Sequence, residues 1–322
     1  MVNRMTSSIT AVFVMTETTL PHLDVPLAVV CHDAGAANLV FAWLRAIARS
    51  GADTNKWRLC LDGPAARLWR QSPIPGASVS DDLAGVLDGA HTLLSGTGWA
   101  SRLEHEARVL AAQRGVRSIA AIDHWVNYRA RFERGGETCL PDEIWVGDEF
   151  ALAEVRRALP SVPARQLPNL YLAECAEVIA PLASQSELLY VLEPIRADWA
   201  GAQGGEFAAL DFFARHYKYV VAGEPLAVRL RPHPSDAPGK YDAWIAAHPD
   251  IAVKLDDSPT LAEAIGHARI VCGAETFAMV VALAAGRRVW STLPPQAHRC
   301  RLPQEGIVHL RDLPDILDEV GT

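Results

Sequence analysis

Leu27-Ala28-Val29-Val30-Cys31, followed by His32-Asp33-Ala34-Gly35-Ala36-Ala37-Asn38, is the stretch on which the fold turns. A strand that is apolar at every position has both faces buried, as in a parallel sheet with helices on either side. The small and polar residues after it predict a turn. Residues 39–49 then place Val40, Trp43, Leu44 and Ile47 on one helical face. Strand, small-residue turn and amphipathic helix, in that order, predict the opening of a βαβ unit.

The pattern repeats outward from there. Residues 57–61, 91–94, 118–122, 143–146 and 165–167 read as strands, and 65–69, 103–114 and 150–159 as helices. Pro168-Asn169 and residues 172–186 read as a crossing. A second series follows, with strands at 188–192, 226–230, 252–255, 270–272 and 289–291. Its helices are expected at 207–216, 241–247, 260–267, 277–285 and 313–320, with Ser258 capping the third of them ahead of Pro259. The glycine-rich stretch 201–205 does not follow a strand closely enough for a dinucleotide fingerprint. Two successive series predict an α/β protein of two Rossmann-like domains facing a cleft. The expected boundaries are an extension at 1–24, a first domain at 25–172, a linker at 173–186 and a second domain at 187–322.

The 322 residues leave room for two such domains. Half are hydrophobic and 21% are charged, a globular composition. Thirty Lys and Arg against 38 Asp and Glu leave a formal charge of −8. That field argues against nucleic acid as a partner, but not against a local basic pocket for a phosphorylated small molecule. Cys31, Cys60, Cys139, Cys175, Cys272 and Cys300 include no Cys-x-x-Cys pair. Neither a disulfide framework nor a zinc knuckle is expected, and a reducing compartment fits. The longest early apolar run, residues 9–15, is too short to span a bilayer, and no small-residue cleavage pattern follows it before Pro21. A cytoplasmic protein is expected, with at most peripheral contact at the inner face of the membrane.

Candidate chemistry collects where strands end. Arg231-Pro232-His233-Pro234-Ser235 closes the strand 226–230. Its prolines stiffen the loop, and Arg and His are donors suited to a phosphate. A rigid surface turn is the other reading. Gly273-Ala274-Glu275-Thr276 links a strand to a helix of small residues. Amides at such a helix start can hold an anion, with the Thr276 hydroxyl beside them, although an ordinary βαβ turn also uses glycine. Glu193-Pro194 ends another strand of this half, where Glu193 could meet a ribose or base. In the first half, Asp123-His124-Trp125 ends a strand, and Asn127, Tyr128, Arg129, Arg131 and Phe132 follow as a polar and aromatic cluster of the kind that holds a sugar ring or a phosphate. Asp123 with His124 is a candidate general base, or Asp123 is a helix cap. His32, Asp33 and Gly35 stand after the first strand, where Asp33 is a base or a cap. Thr97, in Ser95-Gly96-Thr97-Gly98, is a further lining residue. No metal-ligand spacing appears, and neither does a Gly-x-Ser-x-Gly elbow or a Walker loop.

The order of these features resembles the GT-B fold glycosyltransferases: a first Rossmann half, a crossing, a strand ending in His233-Pro234, then Gly273-Ala274-Glu275-Thr276 opening a helix. It is most similar to bacterial sialyltransferases, polysialyltransferases and related Kdo or glycerophosphate transferases. There a His-Pro pair and a later Ser/Thr-bearing helix start hold the phosphate of a CMP- or CDP-activated donor. The resemblance implies a metal-independent glycosyltransferase without a cofactor, with a nucleotide-activated sugar as donor and a glycan or other hydroxyl as acceptor. It puts Arg231, His233, Pro234, Ser235, Gly273, Glu275, Thr276 and Glu193 on the donor. Asp123, His124 and Asp33 become the catalytic candidates, and His32, Gly35, Thr97, Asn127, Tyr128 and Arg129 the acceptor side. Those sialyltransferases carry their base in an Asp/Glu-Asp-Gly motif. Asp123-His124-Trp125 occupies a similar place without the second acid or the glycine. A nucleotide-sugar epimerase or hydrolase and a non-catalytic nucleotide-binding module are the alternatives.

Overall fold

The computed structural model describes residues 20–182, 187–195 and 204–316. Residues 1–19 of the expected extension, 183–186 of the crossing, 201–203 of the glycine-rich stretch and 317–320 of the expected last helix lie outside the described residues. The chain divides into two units, Met1–Tyr171 and Leu172–Thr322.

The first unit is a seven-stranded, all-parallel sheet. In chain order its strands are β1 (Leu27–Cys31), β2 (Trp57–Leu61), β3 (Ser78–Val79), β4 (Thr92–Ser95), β5 (Arg117–Ile122), β8 (Glu143–Val146) and β9 (Ala164–Gln166). They lie side by side as β3-β2-β1-β4-β5-β8-β9. Between β5 and β8 a small antiparallel hairpin, β6 (Glu133–Arg134) and β7 (Glu137–Thr138), stands apart. The apolar run of β1 explains the layering. Leu27, Val29 and Cys31 face a core with Trp43, Leu44, Trp57 and Trp145. Ala28 and Val30 face a second core with Leu93, Ala107 and Ala111. One strand thus carries two hydrophobic faces, as a sheet with helices on both sides requires. Leu20, Leu23 and Val25 already pack on the first of these cores.

The second unit is a six-stranded parallel sheet of β10 (Glu187–Val191), β11 (Val228–Arg231), β12 (Val253–Leu255), β13 (Ala268–Gly273), β14 (Arg288–Ser291) and β15 (Ile307–His309). Their order is β12-β11-β10-β13-β14-β15. Its core gathers Leu188, Tyr190, Leu210, Phe213, Leu230, Cys272 and Trp290. In each unit the strand order reverses beside the first strand, between β1 and β4 and between β10 and β13. Open α/β sheets bind ligands outside the carboxyl ends of the strands at that reversal.

Ten α-helices are described in the two units: α1 (Ala34–Arg49), α2 (Gly63–Gln71), α3 (Leu83–Leu87), α4 (Leu103–Arg114), α5 (Glu149–Ala158), α6 (Leu170–Glu177), α7 (Gly205–Val220), α8 (Asp242–Ala247), α9 (Leu261–Gly266) and α10 (Phe277–Ala284). Three expectations are corrected. The predicted turn after β1 is helix from Ala34 on, with Asp33 at its N-cap and Ala36 and Ala37 buried. Small side chains let that first turn lie close against the sheet, and Ala favours helix. Ser258 does not cap α9. Thr260 does, its hydroxyl accepting the Glu263 N–H at 3.2 Å, while Ser258 donates to Asp256 at 2.9 Å. The crossing contains α6. Among the described residues no helix is long and apolar enough to cross a membrane.

Candidate functional site

At the carboxyl edge of the first sheet, the chain leaves β1 at His32-Asp33 and β4 at Gly96-Thr97-Gly98. The imidazole–carboxylate contact here is between neighbours: His32 Nδ1 lies 2.9 Å from Asp33 Oδ1. An ionised carboxylate only accepts, so Nδ1 carries the proton and Nε2 offers its lone pair. That is the arrangement by which a carboxylate prepares a histidine to take a proton. The other Asp33 oxygen accepts the Trp99 N–H at 3.1 Å. The Glu104 carboxylate of α4, 1% exposed, ties the two loops together. Its oxygens accept the His32 N–H at 2.9 Å and the Gly98 N–H at 2.5 Å. Burial raises the Glu104 carboxyl above its ordinary range, against the pull of those two amides. One turn on, buried Arg108 donates to Gly96 O at 3.0 Å and Ser95 Oγ at 3.3 Å.

Four glycines make room for these polar groups. A side chain at Gly35 would overlap the Asp123 carboxylate, one at Gly98 the Asp33 carboxylate, one at Gly96 the Glu104 carboxylate, and one at Gly63 the His32 ring. His32, Asp33, Gly35, Thr97 and Asp123 therefore come together. Arg131, 5% exposed, joins the last two: its Nη1 lies 3.4 Å from Asp123 Oδ1 and 3.3 Å from Thr97 Oγ1. No helix starts at Asp123, the next one being a 3-10 turn at Ala130–Phe132 with Arg129 at its N-cap, so the capping alternative falls. His124 accepts the Trp125 N–H at Nδ1, 2.9 Å away. Asn127 is exposed with φ 63°, a turn conformation that Asn tolerates, and its carbonyl accepts the Arg131 N–H at 3.1 Å. Arg129 is exposed. Tyr128 is buried, and burial pushes its hydroxyl well above the usual tyrosine range.

In the second unit, Arg231-Pro232-His233-Pro234-Ser235 leaves β11. Arg231 is engaged by the protein itself. Its Nη1 pairs with the fully buried Asp256 carboxylate, which Arg229 also reaches, and donates to Ser258 O at 3.1 Å. Burial would raise Asp256, and the two guanidiniums outweigh it and hold the carboxyl low. The expectation that Arg231 forks onto a ligand is corrected to that extent. His233 is exposed. The Ser235 N–H points at its Nδ1 from 3.2 Å, and Ser235 Oγ lies 2.7 Å from the same nitrogen. A backbone N–H can only donate, so in the neutral ring Nδ1 accepts and Nε2 carries the outward proton. Asp236 fixes the loop from below. It accepts the His233 N–H at 2.9 Å, the Tyr241 hydroxyl at 3.0 Å and Lys240 Nζ at 2.7 Å. Lys240 continues to Glu206 at 2.8 Å, and Glu206 accepts the Ile195 N–H at 3.1 Å beyond β10.

At Gly273-Ala274-Glu275-Thr276 the amides are partly taken. The Glu275 N–H donates to Glu193 at 2.5 Å, and the Thr276 hydroxyl caps Ala278 N–H at 3.4 Å. The anion expected at this helix start is thus in part the chain's own Glu193, whose carboxyl burial raises. Glu275 is held by His298 at 2.9 Å and by Arg301, which donates its Nε and its backbone N–H at 3.1 Å each. Burial would raise Glu275, and these donors outweigh it and lower it. Arg311 anchors the loop that brings His298 there, donating to Ala297 O at 2.8 Å.

Sequence reasoning missed Glu104, Asp236, Lys240, His298 and Arg301. For Asp236 and Lys240 a signal existed: an acid and a lysine four apart directly after the Pro-His-Pro turn.

No family model matches the sequence, and neither does any curated protein. Solved structures do match the fold. The chain is similar to the UDP-GlcNAc 2-epimerase of Methanocaldococcus jannaschii, at TM-score 0.62 and 9% identity over 92% of each chain. A putative UDP-N-acetylglucosamine 2-epimerase from Listeria monocytogenes matches at TM-score 0.59 and 9% identity, over 91% of this chain and 87% of that one. The Neisseria meningitidis UDP-GlcNAc 2-epimerase, solved bound to UDP-GlcNAc, matches at TM-score 0.57 and 10% identity, over 82% and 81%. The chain therefore has an α/β fold of two Rossmann-like units of the GT-B type.

Proposed function

We propose that this chain is a glycosyltransferase that moves a sugar from a pyrimidine-nucleotide donor, a CMP-linked sialic-acid-like or Kdo-like sugar first among them, onto a glycan or other acceptor hydroxyl. The observation that carries the reading is the His32–Asp33 pair at the sheet reversal, in which Nε2 is the unprotonated ring nitrogen. In the step proposed, Nε2 of His32 takes the proton of the acceptor hydroxyl. The acceptor oxygen bonds to the anomeric carbon, and the bond from that carbon to the donor phosphate breaks, its electron pair leaving with the nucleotide. Asp33 steadies the imidazolium that forms. In the second unit, Nε2–H of His233 donates to the phosphate oxygen on which charge develops, a role in which preset donors do most. Thr276 and Ser235 would supply hydroxyls, and Glu193 and Glu275 are the acceptors proposed for the ribose hydroxyls.

The test is thermal melting of the full chain with CMP, CDP, UDP and GDP. A ligand at 100 times its Kd adds about 2.7 kcal/mol. One of the two pyrimidine classes should shift the wild type, and His233→Ala should lose that shift. No shift with any of the four sinks the donor site, and an undiminished shift in His233→Ala sinks the loop's role.

The fold's likeness to UDP-GlcNAc 2-epimerases favours a second reading, a nucleotide-sugar epimerase or hydrolase. It uses the same donor residues and needs no acceptor. Incubating the nucleotide sugar alone separates the two. Epimer or free sugar formed at full rate without acceptor supports the second, and turnover that requires an added hydroxyl supports the first.

A further inference from the structure

Trp99 is the exposed residue among the described Trp, Tyr and Phe, 48% accessible where the other such rings are buried or half-buried. It is not a loose surface side chain. Its N–H is held by Asp33 Oδ2 at 3.1 Å, so the residue stands one hydrogen bond from the His32–Asp33 pair. The Arg134 guanidinium lies over its ring, 5.2 Å from the centroid. Arg134 is itself fixed, donating to Gly98 O, to Glu133 O at 2.7 Å and to Ala130 O at 3.2 Å. Gly98, the residue before Trp99, has no side chain because the Asp33 carboxylate fills that space. Backbone, ring and guanidinium are therefore set before any ligand arrives, and a preset surface loses little freedom on binding.

We propose that Trp99 and Arg134 form a stacking platform for a pyranose ring, the sugar unit whose hydroxyl is presented to His32. A pyranose has an apolar face of axial C–H groups and a rim of hydroxyls. An indole is a flat apolar surface of matching size. Arg134 on the ring and the carboxylate of Asp33 beside it supply a donor and an acceptor for the rim. A phosphorylated or purely aliphatic ligand would use only part of this set. The word acceptor rests on the glycosyl-transfer reading above, whereas the platform itself rests on the geometry of Trp99.

The experiment is saturation-transfer NMR on the full chain with the methyl glycosides of glucose, galactose, mannose and N-acetylglucosamine at millimolar concentration. At least one is expected to bind, with transfer concentrated on one ring face. Trp99→Ala should cut that signal fivefold or more, and Trp99→Phe should restore most of it. Melting of each variant checks folding, and the nucleotide shift of Trp99→Ala should equal the wild type's. No transfer to any glycoside, or transfer undiminished in Trp99→Ala, overturns the platform. A wild type that binds glycosides but no nucleotide overturns the donor reading and leaves the platform standing.

Discussion

The Glu104 carboxylate bridges Gly98 and His32, accepting the two backbone N–H groups at 2.5 and 2.9 Å from a position 1% exposed. A residue on α4 thus joins the loops after β1 and β4. Gln in its place has the same shape and one acceptor oxygen fewer, and its amide nitrogen must face one of the N–H donors. Leaving a buried donor unmet costs about 1–3 kcal/mol. Glu104→Gln is expected to fold with an unfolding free energy, read from urea denaturation, lowered by that amount. Faster amide hydrogen exchange at His32 and Gly98 should accompany it. Unchanged protection at both amides would show that the bridge holds nothing.

The two candidate bases separate by substitution. General base catalysis contributes about 10²–10⁴-fold. If His32 takes the proton, His32→Ala should lose that much in kcat with the donor KM little changed, and Asp33→Asn should lose a similar amount by misdirecting the ring. Asp123→Asn should lose less, because Asp123 faces Gly35 and Arg131. Steady-state release of nucleotide measures all three, and the reverse ranking would place the base at Asp123.

Gly35 and Asp123 are expected to couple. Gly35→Ala puts a methyl group into the Asp123 carboxylate, and overpacking of this kind costs about 1–3 kcal/mol. Asp123→Ala in the same chain removes the clash. The double variant should therefore be more stable than the sum of the two single changes by about 0.5–3 kcal/mol, the range of residues in contact. Additive denaturation free energies would mean that the helix start shifts to absorb the methyl.

Glu193 predicts a pH dependence. Its folded carboxyl titrates above the ordinary 4.5, chiefly through burial. Between the unfolded and the folded value the native state holds more protons than the unfolded chain. Stability must therefore fall as pH rises from about 4.5 through the folded value, and level off above it. Glu193→Gln cannot titrate and keeps an acceptor for the Glu275 N–H. It should flatten this part of the stability curve, as followed by melting from pH 4 to 8. A curve with the same slope in the variant would assign the effect elsewhere.

The layers of the molecule were legible because burial on two faces leaves a plain mark. β1 is apolar at all five positions, and its residues fill two cores. The start of α1 was not legible. Ala34-Gly35-Ala36-Ala37 suits a turn and a helix alike, and what decides it is a sheet edge formed by chain far along the sequence. The loop after β11 was found by its prolines and its histidine. The partner of Arg231 was not, because Asp256 reaches it only through the pairing of β11 with β12. Glu104 is one of two acids in the first turn of α4. Its two amide contacts lie 6 and 72 residues away, and no local pattern announces them.

The glycines around β1 and β4 carry a consequence for how such a site is inherited. Gly35, Gly63, Gly96 and Gly98 each leave a space that Asp123, His32, Glu104 or Asp33 fills. Neither member of a pair is free to drift alone: a side chain gained at the glycine evicts the polar group, and a polar group lost leaves a hollow that a larger residue will occupy. In descendants of this chain the four pairs should be kept or abandoned as pairs. An empty position in the sequence then reports on chemistry as faithfully as a charged one.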